Sequence, residues 1–379
     1  MVLITEILMS KNRKAWKVRR WDRLSRLPEP IIHHILSFLD SKSSVQTSVL
    51  SRFWRCVWKH VPALEFNQYY FQDYSSFRRY VGKVLSRRYP LNLRKVSFLD
   101  RQLRSEGRDD SLVIRVIRHA LYHDAQRLLI VTVNDMTTPD TYRFSDLFGS
   151  ISSCNLKTLE LEGFDLDRGF GSPGFRALTT LDLLTCLVAC DQEVLEPFSN
   201  FPCLKHLSMR DCRGYESSRL VDDRSIRIYG LELLSLTLDS VEFDKIEIYA
   251  PKLKCFSVQE DVEYLRCSLS LPSLDHAEIG VHEGTPVSVE DDRESITLQL
   301  ISVFHGLRNA KSLKLYGVTT VEVLSKFCEL LENQPSPFPK LESLILDSKT
   351  EIVPYKLVSY FFKGSSCASP NILYVSTPS

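Results

Sequence analysis

A few groups of residues in this 379-residue chain have the types and spacing to do chemistry. GFGSPG at 169–174 spells G-x-G-x-x-G, the loop whose glycines let a backbone approach a pyrophosphate at a helix N-terminus. That loop needs a helix after it. Here the strand-like FRALTTLDL follows, and Pro173 favours a turn. His119 and His123 stand four apart in a helical stretch and could share a face as zinc ligands, but no third ligand or HExxH glutamate accompanies them. His33 and His34 are adjacent and point to different sides of a helix. Cys186 and Cys212 fall at the Asn/Cys position of L-x-x-L-x-L-x-x-N/C, where a buried ladder residue is expected rather than a metal ligand. No G-x-S-x-G, P-loop or Cys/His signature is present. The expectation is a chain with no catalytic centre, no metal and no cofactor.

Composition narrows the class of protein. Forty-eight basic against forty-seven acidic residues give no field that would draw the chain to nucleic acid or a membrane surface. No apolar run approaches the roughly 18 residues of a membrane span. The start, MVLITEILMS, has its basic cluster after the apolar stretch, the reverse of a secretory signal. Ten cysteines without a C-x-x-C pair point to reduced thiols, and so to the nucleus or cytoplasm. KNRKAWKVRR at 11–20 reads as a solvated basic tail, with nuclear import as its functional alternative.

After the tail comes LPEPIIHHILSFL, 27–39. Pro28 and Pro30 lack the N–H donors that a helix's first turn leaves unpaired, so they mark a helix start. Ile31, Ile35, Phe38 and Leu39 form one apolar stripe, with Ile32 and Leu36 beside it. A helix so apolar must bury most of its circumference, part against its own chain and part against a partner. DSKSSVQTSVL supplies capping residues and a second helix. Ser51 is placed to cap a third, with Trp54 and Trp58 on one face. Three short helices make a small core that usually leans on something larger.

WDRLSRLPEPIIHHILSFLDSKSSVQTSVLSRFWRCVWKHVPALEF resembles an F-box, in the form found in plant F-box/leucine-rich-repeat proteins. The pieces that carry the likeness are LSRLP, IIHHILSFL, SVQTSVLS and the paired tryptophans. Pro30 departs from the acidic residue common there, and Phe53 from the usual Arg or Lys. The resemblance implies that these helices dock on a Skp-type adaptor, and through it on a cullin scaffold, within a ubiquitin ligase of the SCF type. It implies as adaptor-facing Leu27, Pro28, Ile32, Leu36, Val49, Leu50 and Trp54.

The rest of the chain repeats itself. L-x-x-L-x-L, with other large apolar residues allowed, occurs as LRKVSF (93), LKTLEL (156), LTTLDL (178), LKHLSM (204), LELLSL (231), LKCFSV (253) and LESLIL (341). Weaker copies with one alanine are AQRLLI (125), LDHAEI (274) and AKSLKL (310). Spacings of 21 to 36 residues are those of leucine-rich repeats. Each copy reads as a half-buried strand that can bury its face only by stacking in parallel on its neighbours. DQEVLEPFSNFPC and TVEVLSKFCELLENQPSPFP between strands read as short helices on the convex side. The predicted fold is α/β: a basic tail over 1–20, a three-helix F-box over 21–66, a helical linker and cap over 67–92, and a solenoid with a parallel concave sheet over 93–379.

Side chains flanking the buried positions should line the concave sheet. They include Glu160, Asp182, His206, Ser208, Arg210, Leu233, Lys314 and Tyr316. Acids outnumber bases along this face, whereas a phosphate-tracking surface needs clustered Lys and Arg. A protein segment is therefore the expected occupant, not nucleic acid. The functional expectation is a non-catalytic substrate receptor for protein ubiquitination. The alternative is a repeat scaffold for protein binding, uncoupled from any ligase.

Overall fold

A computed structural model describes residues 24–100, 110–132, 141–149, 155–170, 174–190, 196–215, 224–260, 267–281, 290–316, 318–326, 328–332, 334–347, 353–367 and 371–375. The basic tail, with Trp16, and the first residues assigned to the F-box, with Trp21, lie outside them. The chain divides into two compact units, Met1–Val61 and Pro62–Ser379.

In the first unit a helix spans Glu29–Leu36, with Pro28 as its N-cap and Pro30 in its first turn. It is shorter than the apolar stretch suggests. The last three residues of that stretch form a turn, with Phe38 N–H donating to Ile35 O and Leu39 N–H to Leu36 O. Asp40 starts the second helix, Ser41–Gln46, by accepting from Ser43 N (2.9 Å) and Ser43 Oγ (2.6 Å). The third, Trp54–Val57, runs into a 3₁₀ turn at Trp58–His60. Its N-cap is Phe53, with no side-chain cap. Ser51 does not cap it, and its buried hydroxyl has no hydrogen-bond partner among the described residues. Trp54 and Trp58 are both buried, and Trp54 Nε1 donates to Ser25 Oγ at 2.8 Å.

The second unit is built on one parallel sheet of twelve strands in chain order. They are β1 (Ala63–Asn67), β2 (Lys95–Asp100), β3 (Arg127–Thr132), β4 (Thr158–Glu162), β5 (Thr180–Leu184), β6 (His206–Arg210), β7 (Ser235–Asp239), β8 (Cys255–Glu260), β9 (His276–Val281), β10 (Ser312–Tyr316), β11 (Ser343–Asp347) and β12 (Asn371–Val375). Nine of the ten sequence copies coincide with strands in the expected frame, their apolar positions buried. The copy at 231 is out by two residues. LELLSLTL fits the pattern in two frames, and pairing of Ser235 with His206 selects the second. Leu233 is consequently a core residue, not a concave one, and Leu231 is exposed.

The strands are joined by helices in some connections and by further strands in others. Helices form at Tyr74–Arg87, Asp110–Tyr122, Glu290–Gly306 and Val318–Lys326. Tyr74–Arg87 starts at Asp73, which accepts from Ser76 N at 2.7 Å. It buries Phe77, Val81, Val84 and Leu85, and Phe77 meets Phe98 of β2 with ring centroids 5.6 Å apart. The middle connections form strands as well. Tyr142–Arg143, Phe164–Leu166, Leu187–Ala189 and Arg213–Tyr215 make one parallel sheet, and Ser225–Tyr229, Lys245–Tyr249 and Cys267–Ser270 another. The helix expected in DQEVLEPFSNFPC is absent from its described part, where 197–200 form a turn.

The turn out of the main sheet recurs. Gly163, Thr185, Asp211 and Ser240 each follow a strand and carry φ of 78°, 49°, 50° and 52°. The N–H of each continues the ladder by donating to the last residue, or the last but one, of the next strand: to Leu184, Arg210, Asp239 and Gln259. The left-handed residue then drops the next side chain, Phe164, Cys186, Cys212 or Val241, into the core. None of the described helices is long and apolar enough to cross a membrane.

Candidate protein-binding surfaces

The first unit sorts the residues that the resemblance implies as adaptor-facing into two groups. Ile32, Leu36 and Trp54 are 0%, 1% and 4% exposed, so they hold the helices together and have almost no surface to offer a partner. Leu27 is half-buried and Pro28 exposed. Val49 and Leu50 are exposed, at 58% and 41%, as are Leu24, Ile31, Phe38 (75%) and Phe53. The last four extend the solvent-facing apolar set beyond the residues inferred from the resemblance. Helical spacing alone could not separate the two stripes, because both are apolar.

In the second unit the strand register places the concave residues in rows. Glu160, Asp182, Ser208, Thr237, Ser257, Glu278 and Lys314 are consecutive partners across β4 to β10. A second row contains Glu162, Leu184, Arg210, Asp239, Gln259, Gly280 and Tyr316. His206 lies in the row on the other side, between Thr180 and Ser235. Glu160, Asp182, Ser208, Lys314 and Tyr316 are half-buried, and His206 and Arg210 exposed.

Charges along these rows interact. Arg127 Nε donates to Glu160 Oε1 at 2.8 Å. Burial, with the neighbouring Glu160 carboxylate, raises the pKa of Asp182 above the ordinary carboxylate range, and Arg210, Arg127 and His206 oppose that rise. Burial pushes the Tyr316 phenol up to about 12. Its hydroxyl donates to Val258 O at 3.5 Å, and Lys314 Nζ sits 5.4 Å from its ring centroid. The ring occupies the space a side chain at 280 would need: a Cβ on Gly280 would lie 2.7 Å from Tyr316 Cε2. Between these charged ends, Ser208, Thr237 and Ser257 form a low stretch of small hydroxyl residues. Arg127, Asp239, Glu278 and Gly280 were not singled out by the sequence reading, although the period-two frame of their strands contains them.

The motifs with possible chemistry have structural roles. Cys186 and Cys212 are fully buried. Their thiols reach backbone carbonyls, Cys186 Sγ to Leu184 O (3.4 Å) and Cys212 Sγ to Arg210 O (3.4 Å). Burial beside Cys186 raises the Cys212 thiol well above its ordinary pKa, so it stays protonated. His119 and His123 do meet, with ring centroids 4.4 Å apart. Burial, then His123 and Arg88, lowers His119 to about 4. A neighbouring guanidinium opposes a bound cation, and the described residues contain no group of three or more His, Cys, Asp or Glu able to hold a metal. His33 stacks on His60 and His34 meets the edge of Phe38, on different sides as expected. In GFGSPG, Phe170 packs among Phe144 (4.8 Å) and Phe201 (5.4 Å), residues 171–173 lie outside the described set, and strand β5 follows.

Comparison with known proteins agrees with this geometry. Residues 24–65 match the F-box domain. An F-box/FBD/LRR-repeat protein of Arabidopsis thaliana is 29% identical over 396 residues, covering 94% of this chain and 74% of the relative. An F-box/LRR-repeat protein of the same plant is 28% identical, covering 88% and 67%. An FBD-associated F-box protein, again from Arabidopsis, is 26% identical, covering 94% and 83%. The chain is thus an F-box domain followed by a leucine-rich-repeat solenoid, homologous over most of its length with plant F-box/LRR-repeat proteins.

Proposed function

We propose that the chain is the substrate-recognition subunit of a cullin-based ubiquitin ligase. The F-box holds a Skp-type adaptor, and the concave sheet holds the protein to be ubiquitinated. The observation that carries the reading is an F-box whose small helical unit leaves Leu24, Ile31, Phe38, Val49, Leu50 and Phe53 facing solvent. Exposed apolar surface of this kind marks interaction sites. Val49, Leu50, Leu27 and Pro28 act in the contact with Ile31, Phe38 and Phe53, while Ile32, Leu36 and Trp54 set its shape. Reduced thiols fit action in the nucleus or cytoplasm.

The mechanism needs no acid–base chemistry from this chain. Holding substrate near a conjugating enzyme turns a bimolecular encounter into an intramolecular one and raises effective concentration. The rows of β4 to β10 bind the substrate, with Glu160, Asp182, His206, Ser208, Arg210, Lys314 and Tyr316 making the contacts. The test is to express the chain and its His206→Ala/Ser208→Ala/Arg210→Ala variant in cells, and to measure adaptor recovery and ubiquitination of co-purifying proteins. The variant is expected to keep the adaptor and lose the co-purifying ubiquitinated proteins. Undiminished ubiquitination of the same proteins would place substrate capture elsewhere.

A further inference from the structure

The residue just before each strand of the main sheet also sits in register with its neighbours. Lys157 N–H donates to Gln126 O (2.8 Å), Thr179 N–H to Lys157 O (2.9 Å), and Lys205 N–H to Thr179 O (2.9 Å). Leu234 N–H continues to Lys205 O (2.8 Å), and Lys254 N–H to Leu234 O (3.0 Å). Arg94 extends this row to β2, through the pairing of Lys95 with Arg127. A basic residue thus stands before β2, β4, β6 and β8, and a neutral one, Gln126, Thr179 or Leu234, before β3, β5 and β7. Residues of one row in a parallel sheet project on the same side. Arg94, Lys157, Lys205 and Lys254 are all exposed.

None of the four forms an ion pair among the described residues. The next row, from Lys95 on β2 to Cys255 on β8, contains no acid. On the other side, past a buried apolar row, the carboxylates are Asp124, which interacts with His123, and Glu232, which Lys252 Nζ holds at 2.6 Å. The alternation ends at β9, where Asp275 takes the position. Lys311 Nζ holds its carboxylate at 2.7 Å, and Lys254 also draws it. Strands lie about 4.8 Å apart, so the basic residues recur every ~9.6 Å. Polyproline II has three residues per turn at about 3.1 Å each, and so repeats one face every ~9.3 Å. A β-strand repeats a face about every 6.6 Å and an α-helix about every 10.8 Å in two turns, and neither keeps step with the row.

We propose that this row binds an acidic segment of a partner protein in the polyproline II conformation, with Asp or Glu at every third position. Its carboxylates meet Arg94, Lys157, Lys205 and Lys254 in turn, and the residues between lie over Gln126, Thr179 and Leu234. A phosphate backbone is a poorer match, because it carries a charge at every nucleotide and would meet Glu160 and Asp182 on the same strands. On the reading of the concave face as the substrate surface, this row sets the class of sequence captured there.

The test uses the full chain and a fluorescent peptide of three Glu-Pro-Ala repeats closed by a fourth Glu. Its controls are a peptide of the same composition with the four glutamates together and a single-stranded oligonucleotide of similar length. Anisotropy titrations should show the spaced peptide binding at least about tenfold more tightly than either control, and more weakly as salt is raised. Lys157→Gln/Lys205→Gln/Lys254→Gln should weaken it about tenfold or more, because exposed ion pairs contribute little singly and three are removed together. Lys205→Ala alone should cost about two- to fivefold. All three lysines are exposed, so the thermal transition of each variant should be unchanged. No binding by the spaced peptide, equal binding by either control, or wild-type affinity in the triple variant would each overturn the proposal. The titrations contain no adaptor, so their failure would overturn the acidic-segment proposal alone, whereas failure of the ligase reading would show as absent adaptor binding.

Discussion

Tyr316 lies where any side chain at 280 would stand, so two positions on neighbouring strands act as one feature of the concave face. Gly280→Ala must displace the ring, and overpacking of this kind costs about 1–3 kcal/mol. In a Tyr316→Ala background the same change should cost almost nothing, a coupling that urea unfolding of the four proteins would measure. His119 predicts a pH dependence. Its folded pKa, about 4, lies below the ordinary 6.5, so the folded state binds fewer protons than the unfolded one between those values. Stability is then full above pH 6.5 and falls as pH drops toward 4. His119→Gln should flatten that part of the curve in denaturation series across pH. Asp182 has the opposite sign. Its raised pKa makes the ionised form a cost to the folded state, so Asp182→Asn should raise the melting temperature at neutral pH and lose that advantage in acid.

At the scale of elements, the left-handed residue after each middle strand is the device that turns the chain out of the sheet. Thr185 is β-branched at φ 49°, a conformation that costs an L-residue about 1–2 kcal/mol, partly offset by the entropy glycine brings to the unfolded chain. Thr185→Gly should therefore raise stability by up to about 1 kcal/mol, whereas glycine at an ordinary strand position lowers it; calorimetry on the pair would separate the two. This turn was not legible in the sequence, since only Gly163 carries a residue type that announces it. The strands themselves were legible, because leucine spacing records burial directly. The frame at 231 was ambiguous because leucines occupy both registers. β1 went unread because VPALEF, a copy led by valine, falls inside the stretch that resembles an F-box. The strands of the second face went unread because a short apolar run does not declare its period. On the F-box, the resemblance names Ile32, Leu36 and Trp54 together with Val49 and Leu50, and spacing did not reveal that the first three are buried and the last two exposed.

The whole molecule joins two kinds of surface: a small helical unit with solvent-facing apolar side chains, and a long parallel sheet with mixed charge in register. Each solenoid strand contacts only its neighbours, so a change at one end of the sheet leaves distant repeats alone. That separation makes the adaptor contact the most direct test. The purified full chain should be titrated with a Skp-type adaptor by calorimetry, alongside Phe38→Glu/Leu50→Glu, which places charge on two exposed apolar positions. The account predicts a complex at or below about 1 µM for the wild type. It predicts a loss of at least about a hundredfold in the variant, each charge removing more than a leucine's roughly 1.5–3 kcal/mol of burial, with the solenoid's thermal transition unchanged. A wild-type chain that binds no adaptor at micromolar concentration would contradict the ligase reading and leave a protein-binding scaffold in its place.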